Sequence, residues 1–147
     1  MPSPELLADP QESISNRIHT DWLVGNTPAL GAGKPTVTTG WYTIGSKKPQ
    51  VSVTDRTEIQ TVEGLNSGGT GYNQYVQEQV FLDLWTISKQ QRSEAIGELK
   101  RIVMTFALGF DDVRTLVLSG MRGFVETGKP TLYRANGALT YWIELTI

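Results

Sequence analysis

The stretch from Tyr72 to Leu108 constrains the fold most, because it joins a strand pattern directly to a helix pattern. Residues 75–86 alternate in the manner of a long strand and carry apolar side chains on both sides of the pleat. Such a strand is expected in the middle of a sheet, covered on both faces. One side carries Val76, Val80, Leu82 and Leu84, and the other carries Tyr75, Phe81 and Trp85.

The helix pattern begins after Ser88. The residues from Ser88 to Gln91 fit a capping box, in which the Ser hydroxyl accepts from a backbone amide and the Gln side chain reaches back. Gly109, directly after Leu108, predicts the end of the helix. A single apolar stripe recurs at helical spacing and predicts that this helix folds back onto the sheet. Its members are Ala95, Leu99, Ile102, Val103 and Phe106.

Upstream, the sequence predicts an arm, a helix and a loop. Residues 1–10 contain three prolines and predict a loose N-terminal arm. Apolar residues recur at every fourth position from about Gln11 to Val24, which indicates a helix. The glycines and prolines of Gly25–Pro35 are typical of a loop. The apolar positions of the helix are Ile14, Ile18 and Trp22.

Two strands are expected next, over Thr36–Ile44 and Gln50–Ile59. In the second, Asp55 beside Arg56 is compatible with a functional pair, but charges that are solvated or that blunt a sheet edge are the preferred interpretation. Residues 63–71 contain four glycines, which predicts a flexible excursion before the central strand.

Downstream of the helix the sequence predicts further strands. Asp111 and Asp112 are interpreted as a connector, followed by a strand over Arg114–Ser119. Met121–Thr127 is expected to be a strand with a bulge. Asn136-Gly137 between two apolar runs predicts a C-terminal hairpin on a type I′ turn. Its strands are Thr131–Ala135 and Ala138–Ile147, and the second alternates throughout and ends inside the sheet.

Composition excludes several classes of function. The 147 residues predict one domain over 1–147, with 13 basic and 15 acidic residues spread along the chain. Without a polybasic patch, no sequence-reading nucleic-acid surface is expected. The absence of cysteine removes disulfides and thiol nucleophiles. With no signal peptide and no apolar run of about 20 residues, a soluble protein made in the cytoplasm is expected.

Catalytic, metal and cofactor sites are not expected. His19 is the only histidine and lies within the first helix pattern. Gly-Ala-Gly-Lys, ending at Lys34, resembles a phosphate loop, but Pro28 and Pro35 occupy positions that a Walker A motif needs for Gly and for Ser or Thr. Asp111 and Asp112 lack further ligands at metal spacing. Paired carboxylates that meet only in the folded chain stay open.

The predicted fold is α+β, with a mostly antiparallel sheet of about five to seven strands. An N-terminal helix and one long amphipathic helix are expected on one face. One helix is about 10 Å wide and covers only part of such a sheet. The other face would then expose Phe81 and Trp85 beside Tyr133 or Trp142, and an apolar surface of this extent is normally an interface. We therefore expect a neighbouring subunit to complete part of the sheet.

The order of elements from about Ile14 to Ile147 resembles the tail terminator, or tail-completion, proteins of tailed viruses. The segments that carry the resemblance are Val76–Trp85 with Arg92–Leu99, and Arg122–Glu126 with Tyr141–Leu145. The resemblance implies a ring, commonly hexameric, that caps the tail tube, stops its polymerisation and joins it to the head connector. It implies no catalytic residue, no cofactor and no membrane contact.

Several further expectations depend on this resemblance. The partners would be copies of the chain, the tail tube protein and the head–tail connector proteins, in a virion assembled in the host cytoplasm. Double-stranded DNA would pass through the lumen without sequence readout. Partner contacts would fall on the loop Gly25–Lys34, on strand edges and on a set of interface residues. That set is Gly64, Leu65, Asn66, Ser67, Gly68, Gly69, Thr70, Gly71, Tyr72, Phe81, Trp85, Tyr133 and Trp142.

Two alternative classes stay open. A head-completion (stopper) protein or a tail-tube subunit shares the combination of sheet, helix and mobile loops, but tube subunits stack indefinitely. A ligand-binding or enzymatic α+β domain would instead need a concave pocket with converging polar groups.

Overall fold

The computed structural model describes residues 9–40, 49–65, 72–129 and 131–146. These residues form an α+β structure with two α-helices, two short 3-10 helices and one six-stranded sheet. The 3-10 helices, Val24–Asn26 and Pro28–Leu30, lie within the predicted loop. The elements are α1 (Pro10–Asp21), β1 (Thr36–Thr38), β2 (Gln50–Leu65), β3 (Tyr72–Thr86), α2 (Lys89–Thr105), β4 (Gly109–Phe110), β5 (Val113–Glu126) and β6 (Leu132–Thr146).

The strands are ordered β1-β2-β3-β6-β5-β4, and every neighbouring pair is antiparallel except β1 with β2, which is parallel. The prediction of β3 as a central strand is confirmed, because it pairs with β2 on one side and β6 on the other. β2, β3, β5 and β6 have 14 to 16 residues each. A typical strand has about five or six. The sheet is therefore unusually long in the strand direction.

One side of the sheet, here called the core face, packs with both helices. In β3 it carries Val76, Val80, Leu82 and Leu84, all buried in one apolar cluster with residues of α1 and α2. α1 contacts β1 and β2, whereas α2 contacts β3, β5 and β6. The predicted helical stripes are confirmed at their buried positions, with Phe106 only partly buried. The helix residues in the cluster are Ile14, Ile18, Ala95, Leu99, Ile102 and Val103.

The other side, here called the open face, departs from the prediction that β3 is covered on both faces. Trp85 is buried, at 3 % exposure, but Phe81 is 40 % exposed and Tyr75 is also exposed. Both described helices contribute their buried residues to the core face, so neither of them covers most of the open face. The expectation of cover therefore holds only at the Trp85 end of β3.

The capping of α2 follows the sequence closely, but its end does not. The Ser88 hydroxyl accepts from the Gln91 N–H at 3.1 Å, and the Gln91 side chain accepts from the Ile87 N–H at 3.0 Å. α2 ends at Thr105, three residues earlier than predicted. Gly109 has φ 131° and begins β4, where an added Cβ would collide with the Val113 carbonyl oxygen. This glycine thus permits the β4–β5 turn rather than the helix end.

The predicted C-terminal hairpin is wrong. β6 runs without a turn through Asn136 and Gly137, which pair with Asp83 and Leu82 of β3. Asn136 also pairs with Arg122 across a bulge in β5. A Cβ on Gly137 would lie 3.0 Å from the Ser119 carbonyl oxygen and closer still to the Met121 sulfur. The glycine is therefore required by the close approach of the β5 bulge, not by a positive φ.

Other predicted boundaries also change. Arg114–Ser119 and Met121–Thr127 belong to the single strand β5, which has two register shifts, so the predicted bulge is confirmed. Of the predicted strand Thr36–Ile44, β1 occupies only Thr36–Thr38, and residues 41–48 lie outside the described residues. β2 continues to Leu65, so the predicted excursion is wrong over residues 63–65. Its remainder, residues 66–71, and most of the N-terminal arm are also outside the described ranges.

An Asn136→Thr substitution distinguishes a continuous strand from a turn. In the middle of β6, where Asn136 is exposed, a β-branched residue suits the pleated backbone, so we expect a melting temperature that is unchanged or slightly higher. In a type I′ turn the same residue would need φ > 0, at a cost of about 1–2 kcal/mol. Thermal unfolding followed by circular dichroism separates these outcomes. Gly137→Val serves as the contrast and is expected to destabilise, because Met121 occupies the space.

Candidate interaction surfaces

The strand register determines which predicted interface residues share a face. Phe81 lies opposite Ala138 of β6 and Thr54 of β2, and Trp142 lies opposite Gln77. Phe81 and Trp142 are therefore on the open face together, and Trp142 is partly buried. Tyr75 and Val62, which pair with each other, extend this face along the β2–β3 hairpin and are both exposed.

The remaining predicted interface residues do not join this surface. Tyr133 pairs with Thr86 and so belongs to the core face, where the Arg92 guanidinium of α2 lies 5.7 Å from its ring centre. The expected grouping of Tyr133 with Phe81 is therefore wrong. Gly64, Leu65 and Tyr72 are strand residues at the end of the β2–β3 ladder. Asn66, Ser67, Gly68, Gly69, Thr70 and Gly71 lie outside the described residues.

Arg134 explains why Trp85 is buried on an otherwise open face. Its guanidinium lies 4.5 Å from the Trp85 ring centre and 4.9 Å from that of Phe124. It also pairs with Asp83 at 3.4 Å and with Glu126 at 2.8 Å. Burial raises the pKa of Asp83, and the Arg134 charge opposes that rise. The arrangement packs one end of the open face and joins β3, β5 and β6.

Glu78 forms a second internal ion pair, on the core face. It accepts from Arg56 Nε at 2.8 Å and Arg56 Nη2 at 2.9 Å, and from the Tyr141 hydroxyl at 3.0 Å. Burial and the Glu78 charge raise the pKa of Tyr141. Arg56 and its neighbour Asp55, which has φ 57° at a bulge, are exposed near the border of the sheet, as interpreted from the sequence. The pairing of Arg56 with Glu78 was not expected.

The predicted contact loop, Gly25–Lys34, is fastened to α2 by polar side chains. Buried Glu98 accepts from the Leu23 N–H and from Asn26 Nδ2 at 3.0 Å, and it pairs with Arg101 at 2.6 Å. Glu94 accepts from the Ala29 N–H at 3.1 Å. Burial would raise the pKa of Glu98, but these donors outweigh it and lower that pKa. The sequence signal for this attachment is a polar stripe that runs beside the apolar stripe of α2. The members of the polar stripe are Gln91, Glu94, Glu98 and Arg101.

Lys34 and the Asp111–Asp112 pair, the candidates for phosphate and metal binding, contribute to the fold itself. Lys34 Nζ donates to the carbonyl oxygens of His19 and Thr20 at 2.6 and 3.1 Å, near the C-terminal end of α1. The lysine of the Gly-Ala-Gly-Lys segment therefore binds helix carbonyls. Asp111 and Asp112 form the turn between β4 and β5. Within the described ranges, no group of three or more His, Asp or Glu side chains is placed to hold a metal ion.

At each border of the sheet, most of one long strand has no neighbouring strand among those described. β1 pairs with β2 only at Gln50–Ser52, and Gln11 Nε2 of α1 donates to the Val53 carbonyl oxygen at 2.6 Å. No described strand adjoins the outer side of residues 54–65. β4 pairs with β5 only at Val113 and Arg114, so the outer side of Val117–Glu126 likewise has no strand neighbour among those described. Edges of this length present rows of backbone donors and acceptors to a further strand.

An apolar groove lies beside the β5 edge, and we call it the β5 groove. It is formed where the C-terminal half of α2 faces the start of β5. Val117 is 55 % exposed and Met104 is 79 % exposed. Val117 pairs with Thr140 and so projects to the open face, whereas Met104 belongs to α2 on the core face, so these two side chains do not form one patch. The lining residues are Lys100, Val103, Met104, Ala107, Leu116, Val117 and Leu118.

A comparison with protein-family models gives no match, and a comparison with curated proteins gives no similar sequence. Within the part of the chain that the structure describes, no helix is both long and apolar enough to cross a membrane.

Proposed function

We propose that this chain is a virion structural protein of the tail terminator type, a ring-forming subunit without catalytic activity. In this role it caps the tail tube, stops polymerisation of the tube and joins it to the head connector. Its partners are further copies of itself, in a ring of six, the tail tube protein and the connector proteins. The resemblance in the order of elements supplies the identity of these partners.

The observation that carries the proposal is a pair of strand edges, at opposite borders of one sheet, that no described strand adjoins over most of their length. β2 supplies one edge and β5 the other, and the two edges are different surfaces. Different surfaces that bind each other make a head-to-tail contact, and such a contact generates a closed ring when its rotation closes. A ring leaves no free edge, which removes the aggregation hazard of long strands.

The arrangement of the helices is part of the same proposal. α1 and α2 lie together on the core face and face the outside of the ring, while the open face is turned towards the lumen. The described middle of the open face carries uncharged polar groups, among them Thr57, Gln60, Gln77 and Thr140. With a net charge of −2 and no basic cluster, such a surface suits double-stranded DNA that passes without being held.

Negative-stain electron microscopy of the purified protein tests this function. We expect discrete rings of one size, because a terminator ring binds a tube end and does not stack on itself. Long tubes would contradict the terminator role and favour a tail-tube subunit. Rings that bind connector proteins but not tube ends would favour a head-completion protein. Dispersed single particles that gain thermal stability with a small ligand would favour a binding domain or an enzyme.

A further inference from the structure

We infer that the edge of β2 that no described strand adjoins pairs, as an antiparallel strand, with the corresponding edge of β5 in the next copy. The inference rests on the proposed self-assembly and identifies the surface responsible for it. The strand that β5 receives is therefore residues 54–65 of a second copy of this chain.

Strand direction within one copy makes the contact antiparallel. β2 with β3, β3 with β6 and β6 with β5 are all antiparallel pairs, so β2 and β5 run in opposite directions at the two borders. A rotation about an axis roughly parallel to the strands leaves their direction unchanged. The β2 strand of the next copy therefore also runs opposite to β5, and the sheet continues across the contact with antiparallel hydrogen bonds.

Both sides of the contact offer apolar side chains that the isolated chain leaves in water. Ile59 and Val62 are exposed on β2. Val117, on the open face like Val62, and Val125 are exposed on β5. Strand addition to an edge usually combines main-chain hydrogen bonds with side chains that enter adjoining pockets. In the joined sheet, Val62 and Val117 would lie on the same face.

Charge favours pairing between unlike edges. The β2 edge carries the exposed carboxylates of Asp55 and Glu58, and the charge of Arg56 is already engaged by Glu78. The β5 side carries Lys100 and Arg122, both exposed, and the charge of its carboxylate Glu126 is engaged by Arg134. Two β2 edges would bring like charges together, and so would two β5 edges, whereas β2 against β5 brings opposite charges together. The contact is therefore head-to-tail.

Bulges on both edges limit this contact to one kind of partner. β2 has register shifts between Thr54 and Thr57 and between Glu58 and Gln60, and β5 has a shift between Ser119 and Arg122. Bulges twist an edge and prevent indiscriminate strand addition. Regular segments remain beyond them, over Gln60–Leu65 in β2 and Arg122–Glu126 in β5, and these are long enough for selective pairing.

Cysteine cross-linking tests the contact, since the natural chain has no cysteine. Each test variant carries one cysteine on β2, at Thr57 or Val62, and one on β5, at Val117 or Arg122. All four positions lie on the open face. β3 and β6 separate the two edges by about 14 Å, beyond the ~7 Å limit for a disulfide within one copy. A short bismaleimide, used beside oxidation, bridges pairs that are offset by a residue or two.

We expect at least one of the four combinations to give a ladder of covalent multimers on non-reducing gels, ending at the ring number. The four single-cysteine variants should give no dimer, because a head-to-tail contact never brings a position next to itself. Dimers from a single-cysteine β2 or β5 variant would overturn the inference. If the protein forms rings by electron microscopy but none of the four cysteine combinations cross-links, the inference is wrong and the proposed function is still supported. If the protein does not assemble at all, both the inference and the proposed function are contradicted.

Discussion

A Leu82→Asp variant will not hold the native fold at 25 °C. Leu82 is fully buried in the central strand, between Val53 of β2 and Gly137 of β6. A carboxylate there has no partner on the core face, and the substitution also removes a buried isobutyl group. The cost is more than about 5 kcal/mol, comparable to the whole stability of an ordinary domain. Far-ultraviolet circular dichroism and size-exclusion chromatography detect the loss directly.

Phe81→Asp provides the matched control at the next position of the same strand. Its side chain points to the open face and is substantially exposed, so a carboxylate there stays hydrated. We expect a loss of about 1 kcal/mol, the range of strand preference for a central position. A Leu82→Asp protein that is soluble and folds as well as Phe81→Asp would contradict the assignment of the two faces.

A Glu98→Gln substitution is expected to lower the free energy of unfolding by about 2–3 kcal/mol. Glu98 receives hydrogen bonds from the Leu23 N–H, Asn26 and Arg101, and its side chain is almost fully buried. The amide group of Gln supplies one acceptor oxygen and turns an NH₂ group towards donors. Urea unfolding measures the loss. Glu144→Gln, at an exposed position of β6, should change stability by less than about 0.5 kcal/mol.

Glu98 also predicts the direction in which the free energy of unfolding changes with pH. The donors around Glu98 hold its pKa below the usual value in the folded chain. The stabilisation is therefore complete above the pKa of the unfolded state and is lost as the pH falls through the folded-state pKa. We expect the difference between wild type and Glu98→Gln to shrink below about pH 4. A difference that stays constant down to pH 2 would show that the Glu98 charge is not what stabilises the loop.

The sequence predicts the local elements well where one physical signal dominates. The alternating pattern of β3, the capping of α2 by Ser88 and the fourfold spacing of Ile14, Ile18 and Trp22 all depend on neighbours close in sequence. Local hydrogen bonds and burial of one apolar stripe are sufficient to determine them. These elements are accordingly found within a few residues of their predicted positions.

The C-terminal part shows where local reasoning fails. Asn136-Gly137 has strong turn chemistry, but the segment lies between β3 and β5, and a turn there would leave ladder hydrogen bonds on both sides unmade. Two neighbouring strands therefore override the dipeptide. The reason for Gly137 is the approach of Met121 from the β5 bulge, which lies 16 residues earlier in the sequence. No local pattern encodes that contact.

The candidate surface was predictable only in part, for a related reason. Alternation correctly assigns Phe81 to the side away from Leu82, but it does not give the register between strands. The register places Tyr133 beside Arg92 of α2 and brings Arg134 over Trp85. Two aromatic residues predicted at the interface, Tyr133 and Trp85, therefore make contacts within the molecule. The edges of β2 and β5 that no described strand adjoins follow from the strand order, which strand propensities alone do not determine.

Sedimentation velocity of the wild-type protein across a wide concentration range tests the central claim, that this sheet is completed by copies of its own chain. We predict one closed species whose mass is a fixed multiple, six, of the 16.2 kDa chain and does not grow with concentration. A strict monomer of 16.2 kDa at every concentration would contradict the account.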